Sequence, residues 1–73
     1  MRELRFHREL YRGESVDEAI RTFEPYATIE RSAEPSHWVV RVACATEARE
    51  RRVADELANF ALGKTLESRG AFS

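Results

Sequence analysis

Few side chains in this sequence are of types that do chemistry. Cys44 is the sole cysteine, and a thiolate is a nucleophile and a redox centre. His7 and His37 are the two histidines, which serve as general bases or metal ligands. Asp55 and Glu56 are adjacent carboxylates. Each has a plainer reading. Cys44 closes an apolar alternation, adjoins no histidine or cation, and cysteine is commonly a small buried hydrophobe. Two histidines and one cysteine make a poor ligand set for a metal. Adjacent helical residues point about 100° apart, so Asp55 and Glu56 do not readily share a proton. Arg2, Arg5, Arg8 and Arg12 outnumber Glu3 and Glu9, and form either a docking stripe for an acidic peptide or the solvated face of a strand. No glycine-rich phosphate loop and no RNA-stacking aromatic pattern around Trp38 is present. The residues therefore point to no catalytic site, no metal and no cofactor.

The elements that would position these residues follow from periodicity. Leu4–Tyr11 alternates, with Leu4, Phe6 and Leu10 on one side and Arg5, His7, Glu9 and Tyr11 on the other; period two predicts a half-buried strand, interrupted at Arg8. An amphipathic helix, with Leu4, Arg8 and Tyr11 at helical spacing, is the competing reading, which Phe6 and the following turn signal disfavour. Gly13-Glu14 marks a turn. Ser15-Val16-Asp17-Glu18 reads as a capping box, opening a short helix whose stripe is Val16, Ala19, Ile20 and Phe23. Pro25 disfavours helix at Glu24 and closes it. Ala27–Ser32 is a modest strand and Ala33–Ser36 a turn. His37–Cys44 is the strongest strand, with Trp38, Val40, Val42 and Cys44 on one face. Thr46 is the expected N-cap of a long helix from Glu47 to about Arg69. Val53, Leu57, Phe60, Ala61 and Lys64 line one side of it, and Ala54, Ala58, Leu62 and Leu66 widen the band. Glu47–Arg51 and Arg52–Glu56 are favourable i,i+4 pairs. Gly63 lies inside as a kink, a break or a close contact. Gly70 suits the residue just past the helix end, with Ala71-Phe72-Ser73 as a tail.

The order β-α-β-β-α predicts an α+β fold: one three-stranded sheet with two helices on one face, most of a ferredoxin-like unit without its last strand. A right-handed crossover would set the first strand parallel to a neighbour. The chain has 73 residues, 12 basic and 13 acidic, for a net charge of −1. That predicts one domain and argues against a dedicated nucleic-acid binder, which needs a basic excess. No apolar run reaches the roughly 20 residues that span a bilayer, and MRELRFHREL has no signal-peptide character. A lone cysteine forms no internal disulfide and fits the cytoplasm. A core this small is marginal alone, so a homo- or hetero-oligomer is the expected supplement, and an unfinished sheet offers edges for it.

Phe6 with Leu10-Tyr11, then Ala19-Ile20 and Phe23, then Val53-Ala54-Asp55-Glu56-Leu57-Ala58-Asn59-Phe60-Ala61-Leu62 and the ending Ala71-Phe72 together resemble the HxsD-like family. These are small proteins of the His-Xaa-Ser peptide-modification systems, which include radical SAM enzymes. Glu56, Leu57 and Leu62 match that family's long-helix pattern and Phe60 keeps its aromatic. Asp55, Ala58, Asn59 and Gly63 depart from it, as in a divergent member. The resemblance implies a non-catalytic accessory protein that binds a modifying enzyme or its peptide substrate. The surface residues singled out for such a partner are Tyr11, Glu56, Asn59 and Phe60. The alternative is a structural homo-oligomer joined through a sheet edge or the long helix.

Overall fold

The computed structural model describes residues 1–68, the Ser68 side chain excepted. Arg69, Gly70 and the tail Ala71-Phe72-Ser73 lie outside the described residues. The elements are β1 (Arg2–His7), α1 (Gly13–Phe23), a 3-10 turn (Glu24–Tyr26), β2 (Thr28–Ala33), β3 (His37–Ala43) and α2 (Glu47–Ser68). The expected α+β architecture is present.

The sheet order is β1-β3-β2, and β3 runs antiparallel to both neighbours. This corrects the expectation that β1 lies parallel to a neighbour. β1 and β2 are parallel to each other, but β3 is inserted between them, which is the split β-α-β arrangement of ferredoxin-like units. A strand flanked on both sides is the one that profits most from apolar side chains on both faces. β3 has them: Val40 and Val42 point to the helices, and Val39 to the other side.

Alternation sorts the sheet into two faces. Leu4, Phe6, Trp38, Val40, Val42 and Ile29 face the helices, where Val16, Ala19 and Ile20 of α1 and Val53, Ala54, Leu57 and Ala61 of α2 complete the core. The open face carries Glu3, Arg5, His7, His37, Val39, Arg41, Glu30 and Ser32. Arg5 reaches from β1 to a two-pronged contact with Glu34 beyond the end of β2. Given the strand order, that ion pair crosses over β3. Beneath it Val39 is 1% exposed although no helix covers it.

Four local expectations are corrected. β1 ends at His7 rather than Tyr11: the His7 carbonyl accepts from the amides of Leu10 (3.0 Å) and Tyr11 (2.9 Å), turning the chain. Leu10 consequently leaves the apolar face and is 59% exposed. α1 begins at Gly13, two residues before the Ser15 box, with Arg12 as an N-cap that makes no side-chain bond. Ser15 lies buried in the first turn. The cause is tertiary: a Cβ on Gly13 would lie 3.0 Å from Trp38 Cζ2, so glycine lets the helix start against the indole. Third, neither Glu47–Arg51 nor Arg52–Glu56 closes into an ion pair; α2 instead pairs Lys64 with Glu18 (3.9 Å) and Glu67 (4.0 Å). Solvated i,i+4 pairs gain little from holding two long side chains still. Finally, Leu62 does not join the apolar band and is 42% exposed. Thr46 does cap α2, its Oγ1 accepting from the Arg49 amide at 3.2 Å. α2 continues unbroken through Gly63, where nothing lies within 4 Å of an added Cβ.

Candidate partner-binding groove

Phe23 is the last residue of α1. Pro25 cannot donate an amide to a continuing helix, and the backbone tightens into the 3-10 turn with proline in its first positions. That turn throws Tyr26 outward, where it is 60% exposed. Phe23 stays in, meeting Phe60 of α2 edge-on at 6.0 Å and Tyr26 at 6.4 Å. Edge-on ring pairs of this kind add about 0.5–1.5 kcal/mol beyond the area that they bury. Between the end of α1 and the flank of α2 lies a groove of about 430 Å³, lined by Phe23, Tyr26, Arg49, Arg52, Val53 and Glu56. Its floor is aromatic and aliphatic. Its rim carries two guanidinium groups and one carboxylate, all exposed and none ion-paired among the described residues. An apolar floor with a cationic rim suits an apolar side chain flanked by acidic groups.

The sequence-selected residues separate into two places. Glu56 lines the groove, Phe60 packs behind its Phe23 wall, and Asn59 is exposed beside them. Tyr11 lies elsewhere. It sits in the β1–α1 connection with its ring edge-on to Phe6 at 4.9 Å, and its carbonyl accepts from Trp38 Nε1 at 3.3 Å. Eleven residues of α1 separate it from Phe23, about 16 Å of helix. Tyr26, Arg49 and Arg52 were missed. The readable signal was an aromatic three residues past Phe23 and directly after Pro25.

Cys44 and the two histidines have local partners, and Asp55 is exposed on α2. Cys44 Sγ donates to the Tyr26 carbonyl at 3.6 Å, tying the end of β3 to the 3-10 turn. His7 and His37 face each other across β1 and β3, rings edge-on at 4.9 Å. His7 Nδ1 accepts from the Glu9 amide at 3.2 Å, and His37 Nδ1 lies 2.7 Å from Ser36 Oγ. Among the described residues no group of three or more His, Cys, Asp or Glu side chains is arranged to hold a metal ion. The N-terminal arginines do not form one stripe. Arg5 is on the open face, Arg8 bonds the Glu34 carbonyl at 3.0 Å and lies over the Trp38 ring at 4.0 Å, and Arg31 of β2 lies over the same ring at 4.8 Å.

Two carboxylates are held below their ordinary range. Glu34 is lowered chiefly by its hydrogen bond from Arg5. Glu50, only 6% exposed, accepts from the Met1 ammonium at 3.0 Å; that bond is the main cause of its lowering, against the opposing effect of burial. Among the described residues no helix is long and apolar enough to cross a membrane. Compared with protein-family models, with curated proteins and with solved structures, the chain matches none.

Proposed function

We propose that this protein is a non-catalytic accessory module that docks onto a modifying enzyme of the radical SAM type or onto that enzyme's peptide substrate. The observation that carries the reading is the groove between Phe23, Tyr26 and α2, with its cationic rim. Exposed tyrosine and arginine around an apolar depression are the residue types that dominate binding energy at protein interfaces. The groove includes Glu56 and adjoins Phe60, two positions at which the chain resembles the HxsD-like long-helix pattern, and Asn59 is exposed beside them. The occupant that its chemistry fits is a protein segment with an apolar anchor and acidic flanks.

The test is retention by the tagged protein, from lysate of its own cells, of a radical SAM enzyme or of that enzyme's peptide substrate. Tyr26→Ser and Arg52→Glu should each weaken capture by about tenfold or more, as expected for interface hot spots. Glu30→Gln, on the open face, should leave it unchanged. No capture by the wild-type chain, or equal capture by all variants, would remove the reading.

A further inference from the structure

We propose that two copies of this chain join through β1, edge to edge and antiparallel, into one six-stranded sheet with Leu4 on the two-fold axis. The argument begins with backbone direction. In an antiparallel ladder, the amide and carbonyl of one residue point to the same neighbouring strand, and successive residues alternate. Arg8 donates to the Ser36 carbonyl at 2.9 Å, and that pair continues the β1–β3 register of Arg2 with Val42. The even residues of β1 therefore bond β3. Glu3 and Arg5 turn their amides and carbonyls to the free edge, which among the described residues no strand covers; at His7 the carbonyl is already taken by the Leu10 and Tyr11 amides.

Only registers that oppose odd residues to odd residues let two such edges bond. Three of these centre on the strand. With Glu3 on the axis, Glu3 meets Glu3. With Arg5 on the axis, Arg5 meets Arg5. With Leu4 on the axis, Glu3 of each copy comes opposite Arg5 of the other, twice by symmetry, and Leu4 faces Leu4. Each Arg5 then shares its charge between the partner copy's Glu3 and its own Glu34 and Glu3, the last at 3.6 Å. Directly opposed opposite charges stabilise a strand pair, and directly opposed like charges destabilise it. The Leu4 register is thus selected by charge. It also extends a pattern already present on the open face. Glu30 of β2 is opposite Arg41 of β3, which is opposite and bonded to Glu3 of β1 at 3.3 Å. Arg5 of the second copy becomes the fourth member of that alternating row. On the helix side, Leu4 remains only half-buried within one chain, and the second Leu4 completes its cover.

The other edge does not permit this. The Glu34 amide bonds the His37 carbonyl at 2.8 Å, which turns Ile29, Arg31 and Ala33 of β2 outward. Self-pairing of β2 opposes Arg31 to Arg31, Glu30 to Glu30 or Glu30 to Glu34 in its central registers. The two edges therefore differ in kind, and the assembly closes as a dimer rather than growing as a fibre. The hollow among Arg2, Glu47, Ala48 and Arg51 marks the flank of α2 nearest β1. The Phe23–Tyr26 groove is on the opposite flank and stays open, so this proposal stands or falls apart from the docking function.

Sedimentation equilibrium on the whole chain tests it. The wild type should show twice the 8.4 kDa chain mass. Glu3→Arg and Arg5→Glu should each weaken self-association by about tenfold or more. An equimolar mixture of the two variants should restore the dimer, because every cross-strand pair then opposes Arg to Glu. Amide exchange on the wild type gives a second readout that needs no variant: Glu3 and Arg5 amides should gain protection as concentration rises, while Arg31 should not. A wild-type monomer at about 1 mM, variants that dimerise as well as the wild type, or folded variants that do not associate when mixed would overturn it. So would Glu3 and Arg5 amides that exchange at one rate at every concentration.

Discussion

The same substitution, glycine to alanine, should move stability in opposite directions at Gly13 and Gly63, the helical glycines among the described residues. At Gly63 the helix is continuous and a new Cβ meets nothing within 4 Å. Gly63→Ala then gains the full difference in helix propensity, about 0.8–1 kcal/mol. For a domain of 60–100 residues 1 kcal/mol corresponds to about 4–8 °C in Tm. At Gly13 the backbone gain is offset by a steric cost. The new Cβ would lie 3.0 Å from Trp38 Cζ2 and 3.3 Å from Cη2. The indole has little room to retreat, because Nε1 is bonded to the Tyr11 carbonyl and Arg8 and Arg31 lie over the ring. Overpacking of this kind costs about 1–3 kcal/mol, so Gly13→Ala should lose about 0.5–2 kcal/mol net. The assay is thermal unfolding by circular dichroism at one fixed protein concentration, since a dimer's Tm depends on it. Tryptophan emission serves as a local reporter, Trp38 being the single tryptophan. A Gly13→Ala protein that gains stability with unchanged emission would refute the clamp on Trp38. A Gly63→Ala protein that loses stability would refute the unbroken, uncrowded path of α2.

Thr46→Ala should cost about 1 kcal/mol, because its hydroxyl caps α2, whereas Ser15→Ala should change urea stability little, Ser15 being past the start of α1. Leu57→Ala removes a fully buried side chain and should cost about 2–5 kcal/mol. A core this small supplies about 3–5 kcal/mol, so the loss is read as disappearance of the cooperative urea transition at 37 °C. Acid should weaken the fold through Glu50 and, to a smaller extent because its ion pair is exposed, through Glu34. Both are lowered from the ordinary 4.5, so their contribution is complete above that value and fades as pH falls below it. Glu50→Gln should flatten that part of the stability–pH curve.

The parts of the fold that sequence made legible are those decided by local pattern. β3 carries Val39, Val40 and Val42 in near succession, and that density is what a central strand requires. α1 shows its stripe because Val16, Ala19, Ile20 and Phe23 all enter one core. The misplaced boundaries were decided by distant contacts. The alternation of β1 runs on through Leu10, but the turn at the His7 carbonyl ends it. The Ser15 box is locally sound, yet the helix opens at Gly13, packed against Trp38 from the far side of the sequence. Strand order was equally out of reach, because no pattern within β1 or β2 records that β3 will separate them. Of the groove, sequence found Glu56 and Phe60, which lie on one helix flank at i,i+4. It missed Tyr26, whose exposure depends on how the 3-10 turn sets down against α2.

Placing the latest strand in the middle has a kinetic consequence. β1 and β2 share no hydrogen bond, so no part of the sheet exists until residues 37–43 arrive. The β1 partners lie 30 to 40 positions away along the chain. Closing so large a loop is entropically unfavourable and is rewarded only when β1 zips onto β3, whereas β2 and β3 pair as a local hairpin. An 11-residue helix is marginal without tertiary packing, so the first half of the polypeptide has no sheet to fold onto until β3 is made, and sheet assembly is a late event.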